Sequence, residues 1–321
     1  MIHLTVVSMM KDENHIINEW LYWYLKCIQA DEIFIGDNQS TNPIEKSVIP
    51  QMLENNRGRV HFFDHNIPCQ TSLFSKVYTG AQERAIEENR LESSWILFCD
   101  ADEFFEIGLE KTIDGDGLEI ETVPGQRLRG FLENVSSEVG SIVSHWRIVG
   151  PPSEKNITEK SLMSQCKWQI NWTNGFDYVL QLPTFVKSMH RLSAIDVCKI
   201  GTIVHTAILK NDQFAYHCMC SVGKYMRSET VYTGRREQCN CALTFDLKRH
   251  TPSDIFYYGS VIHMYTQSWE QLAKKAIRQE KFHGKFFHSR ETHEKYYKDM
   301  LPFQNFHLFG DLFDKQFTVG F

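Results

Sequence analysis

Trp95-Ile96-Leu97-Phe98-Cys99-Asp100-Ala101-Asp102-Glu103-Phe104-Phe105 is the stretch whose reading decides the fold. An apolar run of strand length stops at three carboxylates and resumes as a phenylalanine pair, the pattern of a buried strand ending in a turn. Ligands of open α/β sheets bind beyond the carboxyl ends of the strands, which makes a carboxylate turn at such an end a candidate site. Two aspartates one residue apart suit Mg2+ or Mn2+, which takes a few carboxylate oxygens and completes its shell with water and phosphate. A solvated acidic turn is the competing reading of a bare Asp-x-Asp. The apolar run before it, and the Phe pair that would fix the turn after it, favour a site for a metal-bridged phosphate ligand.

Upstream of this stretch, residues 74–89 read as a helix and 60–63 as a strand. Further back, Glu32-Ile33-Phe34-Ile35-Gly36 is a short strand closed by turn residues, Asp37-Asn38-Gln39-Ser40-Thr41-Asn42. The chain opens with Ile2-His3-Leu4-Thr5-Val6-Val7-Ser8, a β-branched first strand. Between these two strands Ile16, Ile17, Trp20, Leu21, Tyr24, Leu25 and Ile28 recur at helical spacing, with Asp12 or Asn14 available as the cap. Strand, helix, strand within about forty residues is the βαβ unit of a parallel sheet. Consecutive strand ends therefore offer Lys11 and Glu13, then Asp37, then Asp100 and Asp102 to one crevice. Carboxylates of the first two loops would meet base and ribose donors, and a metal on the last would meet a diphosphate. Each early loop alone is an ordinary exposed acid; their joint occurrence points to a nucleotide.

With 321 residues, 42% hydrophobic and 13% aromatic, the chain can bury one large core or two fused ones. A net charge of -6 argues against a general nucleic-acid binder. No run has the length of a transmembrane helix, and residues 1–10 are too soon interrupted by Lys11-Asp12-Glu13 for a signal peptide. The expectation is a cytoplasmic protein, with peripheral membrane contact kept open by the tail. Nine cysteines, an odd number scattered along the chain, fit reduced thiols better than a disulfide framework.

Lys11-Asp12-Glu13 before an aromatic helix with Glu19-Trp20, then Ile35-Gly36-Asp37-Asn38-Gln39-Ser40-Thr41, then the 95–104 stretch, resembles the GT-A type glycosyltransferases of the family 2-like and family 92 group. The resemblance continues at Gly80-Ala81-Gln82, at Val186-Lys187-Ser188 and at Ile262-His263-Met264-Tyr265-Thr266-Gln267-Ser268. Met264 and Gln267 stand where that group commonly has Tyr and Lys, so no lysine contact is expected there. The resemblance implies a mostly parallel, Rossmann-like α/β sheet flanked by helices. It also implies a nucleotide-sugar donor, a divalent metal, and transfer of the sugar to an acceptor hydroxyl. On this basis a catalytic domain is expected over 1–265, with its nucleotide-binding half at about 1–110 and its acceptor half at 111–265, followed by a C-terminal helical extension over 266–321.

Such a transfer builds negative charge on the departing diphosphate, so Lewis-acid stabilisation is the main device the site needs. Asp102 is the expected direct metal ligand, with Asp100 beside it on the metal or the ribose. Glu103 would support this shell or cap the turn. The resemblance supplies His263 as a third ligand and Gln82 as a nucleotide contact. Lys187, with Arg191, could neutralise phosphate; surface charge is the other reading.

An inverting transfer would also need a carboxylate base. Glu133, Glu138, Glu154, Asp177 and Asp196 are the candidates, and Glu154 is preferred because it follows a strand ending at Gly150-Pro151-Pro152. Asp114-Gly115-Asp116-Gly117 reads as a turn without EF-hand spacing. Residues 156–175, rich in Trp, Asn and Gln, have the side chains a sugar-binding cleft uses. His205 reads as a core histidine.

Cys218-Met219-Cys220 and Cys239-Asn240-Cys241 could offer four thiolates to zinc, but a one-residue spacer is tight and free thiols are the default. Residues 269–282 read as an amphipathic helix. Phe303, Phe306, Phe309, Phe313, Phe317 and Phe321 then form an apolar stripe, read first as packing, second as a homodimer contact and third as shallow membrane contact. The sequence reading is a metal-dependent glycosyltransferase acting from a nucleoside-diphosphate sugar, UDP-linked by preference, on a glycan or lipid-linked acceptor. Its rivals are a metal-dependent phosphoesterase or nucleotidyltransferase, and a non-catalytic carbohydrate-binding protein on the same fold.

Overall fold

The computed structural model describes residues 1–67, 70–107, 112–113, 119–120, 124–150, 162, 168–170, 186–195, 209–210, 213–219, 226–227, 259–264, 267 and 300–302. The first half runs β1 (His3–Met10), α1 (Ile17–Tyr22), a π-helical turn at Trp23–Cys27, β2 (Glu32–Asp37), α2 (Pro50–Asn55), β3 (Val60–Asp64), α3 (Gln70–Glu87) and β4 (Ser94–Phe98). Beyond the acidic turn come β5 (Glu103–Ile107), β6 (Thr112–Ile113), β7 (Glu119–Ile120), α4 (Pro124–Asn134) and β8 (Val139–Gly150). They are followed by β9 (Trp168–Ile170), β10 (Val186–Arg191), β11 (Ala215–Cys218), β12 (Met226–Arg227), β13 (Gly259–His263) and β14 (Met300–Pro302).

The chain divides into two compact units, one of residues 1–146 with 183–261 and one of 147–182 with 262–321. In the first, β3, β2, β1 and β4 lie side by side in that order, all parallel. This is the Rossmann-like half-sheet expected, and the class is mixed α/β with flanking helices. Sheet order then reverses direction, because β10 joins β4 antiparallel and β8 joins β10 antiparallel. β11 continues the sheet parallel to β8. In the second unit, β9 pairs with the end of β8 and β14 with β9. The stretch read as a helical extension thus contains a strand, whose partner lies some 130 residues earlier, beyond the reach of any local periodicity.

Helix α3 explains why the parallel core holds. Leu73, Phe74, Val77, Tyr78, Ala81 and Ala85 fall on one face and bury against Val7, Ile96 and Phe98 of β1 and β4. The helix starts earlier than its apolar residues suggest, because Gln70 and Ser72 form a polar first turn. It ends at Glu87, and two residues on Asn89 takes a left-handed φ of 52° while Arg90 N–H donates back to the Ala85 carbonyl.

Two local expectations need correcting. Neither Asp12 nor Asn14 caps α1: the cap position is Ile16, without a side-chain bond. Asp12 instead accepts Thr41 N–H at 2.7 Å, and Asn14 donates to Asn42 O and Ser47 Oγ. Nor is the helix regular to Ile28, since Ile28 N–H bonds Trp23 O at 2.8 Å, a π-type closure. Trp20, Trp23 and Tyr24, three and four apart, share one face, and all three are buried.

Candidate functional site

The acidic turn joins β4 to β5 at the carboxyl end of the parallel strands. In the order β3-β2-β1-β4 the chain direction across the sheet switches between β1 and β4, where α/β sheets open a crevice. The loops after β1 and β4 border that switch point, so the sheet brings Lys11 and Glu13 to the same edge as Asp100 and Asp102.

The turn is framed from three sides. Its own ends bond reciprocally: Asp100 N–H donates to Glu103 Oε2 at 2.9 Å, and Glu103 N–H to Asp100 O at 3.1 Å. From the first helix and its π turn, Trp20 Nε1 donates to Asp100 O, Tyr24 Oη to Glu103 O, and Trp23 Nε1 to Phe105 O, at 3.1, 3.1 and 2.9 Å. Tyr24 Oη also accepts Phe105 N–H at 3.1 Å. From α3, Gln70 Nε2 donates to Asp100 Oδ1 at 2.6 Å. From β10, Lys187 Nζ lies 2.9 Å from Asp100 Oδ2 and 3.1 Å from Glu103 Oε2.

Lys187 and Glu103 are fully buried, Asp102 is 9% exposed, and the Asp100 side chain is 30% exposed. Burial alone would lower the Lys187 pKa; Asp100 and Glu103 beside it more than reverse this and hold it above the ordinary lysine range. Burial, with Glu103 nearby, pushes the Cys99 thiol well up, so it stays protonated. Cys27 is also buried and is pushed up to about 12. Both are free thiols.

The other sequence candidates sort as follows. Asp37 directs both carboxylate oxygens to its own loop, accepting Ser40 N–H at 2.9 Å and Ile44 N–H at 2.8 Å. Asp12 N–H donates to Ser40 Oγ, so the loops after β1 and β2 are laced together, with Asp12 and Gln39 in left-handed backbone at φ 56° and 58°. Glu13 pairs with His15 at 3.9 Å. Gln82 lies twelve residues beyond Gln70 on α3, about 18 Å at the helical rise. Its amide donates to Leu192 O at 2.9 Å, so the helix does not bring it to the turn; the glutamine that reaches the turn is Gln70.

Lys187 and Arg191 are both buried, which overturns the surface-charge reading. Arg191 donates to the carbonyls of Val139, Glu92 and Ser136 and stacks 4.5 Å over the Trp95 ring. Glu138 precedes β8 at the end of that strand remote from the turn, since Ser141 pairs with His190 and His145 with Val186. From Glu138 to His145 the strand spans about 20 Å, which removes Glu138 as a base at the turn. His263 ends β13, is buried, and belongs to the second unit. Glu154, Asp177, Asp196, His205, Cys220, Cys239, Cys241, the 114–117 turn, the 269–282 helix and the phenylalanine stripe lie outside the described residues. So does most of 156–175.

The donors at the turn decide whether a divalent cation suits it. Asp100 accepts Gln70 Nε2 through Oδ1 and Lys187 Nζ through Oδ2, and Asp102 adds a second carboxylate two positions on. Among the described residues no group of three or more His, Cys, Asp or Glu could hold a cation by itself. Two carboxylates with other positions left to water and phosphate are what Mg2+ or Mn2+ accepts, so the residues fit. Gln70, Trp23 and the caging role of the aromatic helix escaped sequence reasoning. A polar residue opening a helix beside an acidic strand end was the one available signal.

No protein-family model matches the chain, and no curated protein does. Among solved structures, GalNAc-T7 with UDP, GalNAc and Mn2+ aligns over 100% of this chain and 58% of its own at 10% identity and a TM-score of 0.32. A putative glucose-1-phosphate thymidylyltransferase from Bacillus anthracis, in complex with a sucrose, aligns over 50% of this chain and 62% of its own at 7% identity and a TM-score of 0.26. The chain thus spans about six tenths of either structure.

Proposed function

We propose that the protein is a metal-dependent glycosyltransferase that moves a sugar from a nucleoside-diphosphate donor, UDP-linked by preference, to a hydroxyl of a glycan or lipid-linked acceptor. The observation that carries this reading is the caged carboxylate turn after β4, next to the β1 end at the switch point of a parallel sheet. The catalytic domain is taken as residues 1–265, with the donor site in the first 110 and the segment from 266 as an extension.

In this reading Asp102 and Asp100 hold Mg2+ or Mn2+, which when bound supplies Lewis-acid stabilisation to the departing diphosphate. The chain's own residues do the rest. Trp20, Trp23 and Tyr24 fix the backbone of the turn through its carbonyls, so the carboxylates meet the donor without rearrangement. The laced loops of Asp12 and Asp37 shape the rim where base and ribose would lie, with Lys11 and Glu13 beside them. Glu154 is the proposed acceptor base.

The test is calorimetric titration of UDP and GDP with and without manganese. We expect manganese-dependent binding of one nucleotide, lost at least tenfold in Asp102→Ala while the melting temperature changes little. No binding of either nucleotide under any condition would remove the donor site and leave the phosphoesterase or carbohydrate-binding readings.

A further inference from the structure

We propose that Lys187 is a positioning residue of the donor site: its buried ammonium closes a ring with Asp100 and Glu103 that holds the turn carrying Asp102 in its ligand-ready shape. The proposal rests on the donor-site reading above and deepens it, replacing the phosphate contact that the sequence alone offered Lys187. A fully buried ammonium bonded to two carboxylates does not reach a phosphate as a surface lysine would.

The ring is complete on named atoms. Asp100 N–H donates to Glu103 Oε2, the same oxygen receives Lys187 Nζ at 3.1 Å, and Nζ returns to Asp100 Oδ2 at 2.9 Å. Gln70 holds the other oxygen, Oδ1, so Asp100 is gripped from β10 on one side and α3 on the other. Strand register puts the lysine there. Met189 pairs with Leu97 and His190 with Ile96, and continuing that antiparallel ladder sets Lys187 opposite Cys99, one residue before Asp100.

Energetics point the same way. Burying an ion pair costs desolvation that its attraction repays only with good geometry, and apolar residues of similar volume often serve stability equally well. Stability alone therefore does not call for these charges at the end of the strands. What they supply is one defined shape for a turn whose backbone must change direction between two strands. The ring also ties the reversed strand β10 to the nucleotide-binding half-sheet.

The experiment compares the native protein with Lys187→Met and with the pair Lys187→Met, Glu103→Gln. Melting temperature is measured beside manganese-dependent UDP and GDP binding, and Mn2+ affinity by electron paramagnetic resonance. Lys187→Met alone leaves Glu103 buried without its ammonium and should melt well below native. Adding Glu103→Gln removes that charge while keeping an acceptor for Asp100 N–H, so the melting temperature should largely recover. We expect nucleotide affinity in the recovered pair to stay at least tenfold weaker, with an altered Mn2+ signal. A recovered pair that binds nucleotide and Mn2+ as the native protein does would overturn the proposal and leave Lys187 a structural charge. Should the pair fail to fold, Lys187→Arg keeps the charge with displaced donors and decides by the same comparison: native affinity overturns the proposal, a tenfold loss upholds it. Native protein that binds no nucleotide sinks the donor-site reading itself, and this inference with it.

Discussion

Asp100 shows how much a single residue's surroundings alter its reading. As a letter beside Asp102 it is half of a metal motif; in the fold its two oxygens are held by Gln70 and Lys187, and its backbone by Glu103 and Trp20. Spacing could place carboxylates at a strand end, but it could not say which of them is committed to neighbours. Asp37 makes the same point, since its loop spends both oxygens on backbone N–H groups. Away from the site, the His3 imidazole 3.5 Å away, with the Arg84 guanidinium beside it, holds the Glu32 carboxyl down from 4.5 to about 2. Because the folded value is depressed, the stability Glu32 contributes is full above pH 4.5 and is lost as pH falls toward 2. Urea unfolding between those limits should show a shallower acid loss in Glu32→Gln than in the native protein, and identical slopes would refute this.

Among the elements, α3 is the most consequential, because its face seals the parallel strands and its first turn delivers Gln70 to the site. Its approach to β2 depends on Gly36: a Cβ there would stand 2.8 Å from Leu73 Cδ2 and 3.3 Å from His65 Cβ. Gly36→Val should therefore cost about 1–3 kcal/mol, the usual range for overpacking a filled core. It should also displace the helix start and weaken nucleotide binding. Gly36→Ala should do the same to a smaller extent, and calorimetry together with thermal melting reads both. An unchanged melting temperature in Gly36→Val would mean that the helix does not sit as close as this. The first helix carries the contrasting lesson. Its apolar period was legible, but the π turn over Trp23–Cys27 that ends it was not, because one inserted residue changes the hydrogen-bond closure without changing composition.

For the whole molecule, a donor that binds only the folded state must stabilise it by mass action. Nucleotide at a hundred times its dissociation constant adds about 2.7 kcal/mol, which for a chain of this size raises the melting temperature by several degrees. The rise should need manganese and should vanish in Asp102→Ala; a manganese-independent rise would place the nucleotide elsewhere. No described helix is long and apolar enough to cross a membrane. The sequence by itself determined that the first strands form a parallel sheet, the helix that covers them and the acidic turn at their carboxyl end. Those features are local, written in runs of apolar residues and in what interrupts them. Only the tertiary structure decided that β10 enters reversed beside β4, that Lys187 is buried against the turn, and that Gln70 rather than Gln82 reaches it. Each of these depends on strand register and on contacts between residues 30 to 90 positions apart, and no periodicity along the chain encodes them.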